Sequence, residues 1–189
     1  MQAYVREFLN LHCSGDVMNA VTPIGRDPEK EITESMGILK KFKGLFLANP
    51  SKYNLLDLCA GNALTSVLSV HLLPVHYANA IDIEERRRHW ETVRNFAYTF
   101  EDVYSPKMID DYVNENTIII SVHACSNLAR RIVEIYNNSK AKALFLMPCC
   151  LGSLKRKYPQ EIESKLGNYM MFCWDLAQTK CRLKLRINT

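Results

Sequence analysis

Asn54-Leu55-Leu56-Asp57-Leu58-Cys59-Ala60-Gly61-Asn62-Ala63 is the stretch on which the fold of this chain turns. Its leucines make a short apolar run, too brief for a helix, and read as a buried strand. The strand carries an acid, Asp57, and runs into a tight bend of small residues. A helix-like pattern follows, from Leu64 to about Leu73, and stops before Pro74. Strand, small-residue turn and helix, in that order, are how α/β proteins hold a nucleotide-like ligand. Small residues let the backbone approach the ligand, and the helix N-terminus offers free N–H groups.

The dinucleotide fingerprint has three glycines, G-x-G-x-x-G. This turn has one, Gly61, flanked by Ala60 and Ala63. An acid at the strand end disfavours a pyrophosphate and suits a ligand with a positive charge or hydroxyl donors. That favours S-adenosylmethionine over a dinucleotide, and counts against an NAD-dependent oxidoreductase. For the turn taken alone, an ordinary strand–turn–helix in an α/β core is the plain alternative.

The 189 residues fit one domain with a core large enough to stand unaided. Hydrophobic residues make up 48% and charged residues 23%, which argues against general disorder. No apolar run approaches a membrane span. Residues 1–10 carry Arg6 and Glu7 within their apolar pattern and do not read as a signal peptide. The seven cysteines are odd in number and gather at strand ends, which predicts free thiols in a reducing, cytoplasmic setting. The net charge of +4 is compatible with RNA; neither DNA nor a membrane is expected as a partner.

The expected architecture is a Rossmann-like, doubly wound α/β fold, with a mostly parallel sheet of six or seven strands. An N-terminal helical extension, residues 1–50, lies against it. The extension holds one helix over 2–12 and a second opened by Asp27-Pro28-Glu29, with Asp27 as N-cap, running to about Lys43 and ending at Gly44. Strands are expected at 53–58, 77–83, 98–103, 117–122, 143–147 and 182–187. The connecting helices are expected at 64–73, 84–96, 106–113, 127–136 and 160–178. The helix over 84–96 would carry Arg86, Arg87 and Arg88 on a basic face.

Ligands in such sheets sit beyond the carboxyl ends of the strands, where the winding reverses. Polar and reactive residues gather there: Asp57, Cys59, Gly61 and Asn62 after the first strand, Asp82 and Glu84 after the second, and Asp102 after the third. His123, Cys125, Ser126 and Asn127 follow the fourth, and Pro148, Cys149 and Cys150 the fifth. Asp82 lies roughly 20 residues beyond the first turn, the separation of a ribose-binding acid. Glu84 reads better as a helix cap. Asp102 reads equally as an acceptor for an adenine amino group or as a surface acid beside Glu101.

Ser121-Val122-His123-Ala124-Cys125-Ser126-Asn127-Leu128-Ala129 and Met147-Pro148-Cys149-Cys150 add to the first motif. Together they resemble the class I S-adenosylmethionine-dependent methyltransferases over residues 53–150. The closer resemblance is to the subgroup with D-x-C-x-G, H-A-C-x-x-L and P-C-C motifs. That subgroup includes the methyltransferase domain of a glutathione-S-transferase C-terminal-domain-containing protein; tRNA 2′-O-methyltransferases are more distant. The resemblance implies that Asp57, Cys59, Ala60, Gly61 and Asn62 contact the methionine end of the cofactor. It implies Asp82 at the ribose and Asp102 near the adenine. His123 and Cys125 would face both the cofactor methyl and the substrate, as candidate catalytic residues.

The chain departs from the subgroup at Ser126, where glycine is common. It also stops at Thr189, just after the sixth strand candidate, so the terminal antiparallel hairpin is expected to be abbreviated.

Three readings compete for the cysteines. Soft, buried packing is preferred. A zinc site is disfavoured, because C-x-C and C-C spacings are unlike common zinc motifs, and no metal is expected. A nucleophile would need an activated thiolate. The Lys155-Arg156-Lys157 run follows the fifth strand and suits RNA phosphates, with Tyr158 beside it to stack a base. The resulting expectation is an S-adenosylmethionine-dependent methyltransferase with RNA as the favoured acceptor. The alternatives are a protein or small-molecule methyltransferase and a non-catalytic binding module.

Overall fold

The computed structural model describes residues 3–25, 27–124, 127–148 and 170–171. Three helices lead: α1 (Ala3–Leu9), α2 (Ser14–Val21) and α3 (Pro28–Ala48). The alternating part follows as β1 (Asn54–Leu58), α4 (Leu64–Leu72), β2 (Tyr77–Asp82), β3 (Phe96–Phe100), α5 (Met108–Tyr112), β4 (Thr117–Val122), α6 (Asn127–Asn137), β5 (Ala143–Met147) and β6 (Met170–Met171). The strands form one sheet in the order β3-β2-β1-β4-β5-β6, and every pairing is parallel. The doubly wound architecture is thus as the sequence implies. The winding reverses between β1 and β4, which places the ligand crevice at their carboxyl ends.

Both faces of the sheet are covered, so the central strands are apolar throughout. Leu55, Ile118, Ile120 and Phe145 pack against the layer that contains α1 to α4. Leu56, Leu58, Ile119, Leu144 and Leu146 pack against the layer that contains α5 and α6. Period-two alternation assigns each strand residue to one layer or the other.

The N-terminal helices are a structural layer in their own right. Asp27 caps α3 by accepting from the Lys30 N–H at 3.1 Å, and Pro28 stands in its first turn, as the sequence signals. Helix α3 then runs through Gly44 to Ala48, beyond the expected end. Its buried stripe continues to Phe46, which outweighs the roughly 1 kcal/mol cost of a helical glycine. Phe42 meets Phe46 and Phe145 edge-to-face at 5.9 and 5.6 Å, joining the helix to β5. The helix expected over 2–12 is present as the shorter α1, and α2 is a further helix that was not expected.

Three expected elements differ. No helix spans 84–96; the segment is a loop with one 3-10 turn, Trp90–Thr92. Its apolar stripe is only Trp90, Val93 and Phe96. Trp90 stacks on Tyr98 at 3.8 Å and 11°, and Phe96 opens β3, two residues earlier than expected. Residues 170–171 pair with β5 as strand, inside the span expected as a helix over 160–178. The strand expected at 182–187 lies outside the described residues.

If α3 is part of the core, Phe42→Ala should cost about 3–5 kcal/mol. Urea unfolding of the variant measures this. A loss below about 1 kcal/mol, the scale of a surface change, would mean that α3 is only loosely docked.

Candidate functional site

The turn after β1 is built from left-handed backbone. Cys59, Gly61 and Ala63 have φ of 60°, 55° and 57°. Only at Gly61 is this free of a side-chain penalty. The Ala60 N–H donates to the Ile81 carbonyl at 3.0 Å, and the Ala63 N–H to the Ala60 carbonyl at 2.8 Å. The Gly61 N–H donates to Asp82 Oδ2 at 2.8 Å, while the Glu84 N–H donates to Oδ1 at 2.9 Å. One carboxylate thus pins the β1 turn to the end of β2. The Tyr98 hydroxyl reinforces this by sharing its one hydrogen between the Gly61 carbonyl (3.2 Å) and the Glu84 carbonyl (3.0 Å). Burial and the Asp82 charge push the Tyr98 phenol up to about 12, so it stays a donor.

A cleft of about 340 Å³ opens beside this turn. Cys59, Ala60, Gly61, Asn62 and His123 all line it, five of the residues expected from sequence. The expected acids lie around the turn. Asp57 is buried and accepts from the Ser66 hydroxyl of α4 at 2.8 Å. Asp82 is behind the turn, bound to the Gly61 N–H. Half-buried Asp102 accepts from the Tyr104 N–H at 2.9 Å. Glu84 caps no helix; its carboxylate pairs with Arg86 Nη2 at 2.5 Å. Cys125, Ser126, Cys149, Cys150, the 155–157 basic run and Tyr158 lie outside the described residues. Among the described residues no cluster of three or more His, Cys, Asp or Glu side chains is placed to hold a metal ion.

The electrostatics separate the roles. Burial first, and then Asp82, Asp57 and Asp102, push the Cys59 thiol up to about 12. Cys59 is therefore a neutral thiol near pH 7 and no nucleophile, which agrees with packing. Burial, reinforced by Asp82 and opposed by the Ser66 hydrogen bond, raises the Asp57 carboxyl to about 7.

The opposite wall of the cleft comes from α3, which the sequence reading did not connect to the site. Lys30, Glu31, Glu34 and Ser35 line it. Asn62 Nδ2 donates to Glu31 Oε2 at 3.4 Å, and Arg88 Nη2 donates to Asn62 Oδ1 at 3.1 Å. Glu34 is 1% exposed and hydrogen-bonds His123 Nε2. The Ser35 and Thr65 hydroxyls meet at 2.9 Å. The available signal was Glu34 itself, a carboxylate one turn before Ile38 on the buried side of the helix. Arg86 also lines the cleft, where a solvated helix face was expected.

Residues 29–157 match the sequence family of a methyltransferase domain. The chain belongs to this methyltransferase-domain family. No curated protein matches it. Among solved structures, it is similar to a mutant of MtNAS in complex with S-adenosylmethionine. The identity is 14% and the TM-score 0.45, over 70% of this chain and 50% of that one. It thus spans half the length of that protein. It is also similar to a putative protein-L-isoaspartate O-methyltransferase from Plasmodium falciparum in complex with S-adenosyl-L-homocysteine. Here the identity is 8% and the TM-score 0.43, over 98% of this chain and 91% of that one.

The raised Asp57 carboxyl gives this methyltransferase domain a pH signature. Its folded value, about 7, lies above the ordinary 3.8, so folding takes up a proton between those values. The stability it contributes is complete below pH 3.8 and is lost as the pH rises through about 7. Asp57→Asn keeps an acceptor for Ser66 and removes the titration. Relative to wild type, the variant should gain stability from pH 4 to about pH 7 and then level off, read from urea midpoints. A difference that stays flat across that window would contradict the assignment.

Proposed function

We propose that this domain binds S-adenosylmethionine along the carboxyl edge of the sheet and transfers its methyl group to RNA. The observation that carries this reading is the cleft formed by residues 59–62 at the crossover between β1 and β4, in a chain of the methyltransferase-domain family.

The residues present fit such a cofactor. A Cβ built on Gly61 would meet no atom within 4 Å, so the turn faces open space where a ligand can approach the backbone. Each Asp82 oxygen accepts one backbone N–H and keeps capacity for a further hydrogen bond, as a ribose diol requires. Cys59, Ala60, Gly61 and Asn62, with Asp57 beneath them, would hold the methionine end. Asp82 would hold the ribose, and Asp102 would lie on the adenine side. Exposed Ile83, beside Asp82, offers apolar surface to a base. When bound, the sulfonium supplies an electrophilic methyl group. The protein's part is then to orient the acceptor and keep the geometry rigid.

RNA as the acceptor is supported by the net charge of +4. The 155–157 basic run adds charge after β5 in sequence. Incubation with tritiated S-adenosylmethionine and fractionated cell extract should place label in RNA. Label confined to protein or small metabolites would refute that acceptor.

Calorimetric titration with S-adenosylhomocysteine tests the cofactor site. Asp82→Ala should weaken binding by about tenfold to a hundredfold, the scale of charge-assisted hydrogen bonds. Asp82→Asn retains an oxygen for the Gly61 N–H and should preserve the turn while still weakening binding. Wild-type affinity in both variants would remove Asp82 from the site.

A further inference from the structure

His123 directly follows β4 in a left-handed conformation, with φ of 68°, which is costly for a residue with a Cβ. Its backbone is fixed there by a 2.7 Å hydrogen bond from its N–H to the Met147 carbonyl at the end of β5. The ring reaches α3, where Nε2 meets the Glu34 carboxylate. The Glu34 side chain is 2% exposed and that of His123 is 34% exposed. A carboxylate buried in a helix face is expensive unless it is paired, and His123 is its partner among the described residues.

A carboxylate only accepts, so the hydrogen of this bond sits on Nε2 of His123. Neutral imidazole then carries its lone pair on Nδ1, to which no described residue donates a hydrogen bond. His123 and Glu34 both line the cleft that holds the β1 turn. A half-exposed imidazole, held in one tautomer by a buried carboxylate, is the arrangement of an oriented proton acceptor.

We infer that His123 is the base that deprotonates the methyl acceptor, that Glu34 is its positioning residue, and that the acceptor is a hydroxyl or amine bearing a proton. This rests on the cofactor reading above. In the step, the acceptor oxygen or nitrogen forms the new bond to the methyl carbon. The carbon–sulfur bond breaks, and its electron pair stays on sulfur as the thioether. The acceptor proton passes to Nδ1, and Glu34 faces the resulting imidazolium before the proton is lost to water. Acceptors without a proton to lose, such as a thioether or a tertiary amine, would have no use for this pair.

Three measurements on the full chain test the pair. Long-range proton–nitrogen correlation spectra of wild-type protein should show His123 protonated at Nε2 and bare at Nδ1. Glu34→Gln, an isosteric change that keeps an acceptor oxygen but removes the charge, should weaken that tautomer preference. It should also lower tritium transfer from S-adenosylmethionine into unfractionated cell extract at least tenfold, with S-adenosylhomocysteine affinity within about twofold of wild type. Glu34→Asp should recover part of the transfer. A proton on Nδ1 in the wild type overturns the inference, whatever the variants do. Undiminished transfer by Glu34→Gln overturns it too, as does a wild-type chain that binds S-adenosylhomocysteine but labels nothing. Failure to bind S-adenosylhomocysteine at all is a different result and refutes the cofactor reading itself.

Discussion

The hydrogen bond from the Gly61 N–H to the Asp82 carboxylate is the constraint around which the site is arranged. Parallel strands present their carboxyl ends side by side, but nothing in strand pairing dictates the shape of the loops that leave them. Here a single carboxylate accepts from the loop after β1 with one oxygen and from the loop after β2 with the other. That sharing sets the left-handed turn against a fixed partner and orders a stretch of backbone that would otherwise cost conformational entropy on ligand binding. Tyr98, from β3, spans the same two loops with its hydroxyl. Three adjacent strands therefore define one rigid rim.

The other wall is supplied from outside the alternating part of the chain. Helix α3 buries Phe42 and Phe46 against the sheet and places Glu31 and Glu34 over the turn and the end of β4. Its packing and its polar contacts are two sides of one helix. The residues that dock α3 also fix where its carboxylates sit, so the N-terminal helices are coupled to the site through geometry and not through proximity in sequence.

Much of this was legible beforehand. Strands β4 and β5 are nearly pure apolar runs bounded by turn signals, and their limits agree with the structure to the residue. The Asp27-Pro28-Glu29 cap was equally plain, because capping is decided within one helical turn. The segment over 84–96 was misread because its composition suits a helix while its partners are distant. Asn62 accepts from Arg88 and Tyr98 stacks on Trp90, while Asp82 turns the chain locally by accepting the Glu84 N–H. Tertiary contacts of that kind override a weak propensity. The pairing of Glu34 was illegible for a related reason: its partner is 89 residues away, and only the folded chain brings the two together.

The cysteine motif shows how the same environment argues against one chemistry and for another. Cys59 sits in a turn beside the cleft, where a nucleophilic reading is one of three. Yet burial raises its pKa, and the charges of Asp82, Asp57 and Asp102 add to that effect, so the thiol holds its proton. A field that disfavours a thiolate disfavours any anion at that point and favours a cation. Asp57 resists ionisation chiefly because it is buried, and the Asp82 charge adds to that. The acids around the turn thus raise the cost of negative charge inside the rim, and a positively charged ligand lowers it. The charge that Cys59 feels is therefore set by acids carried on, or just beyond, three different strands.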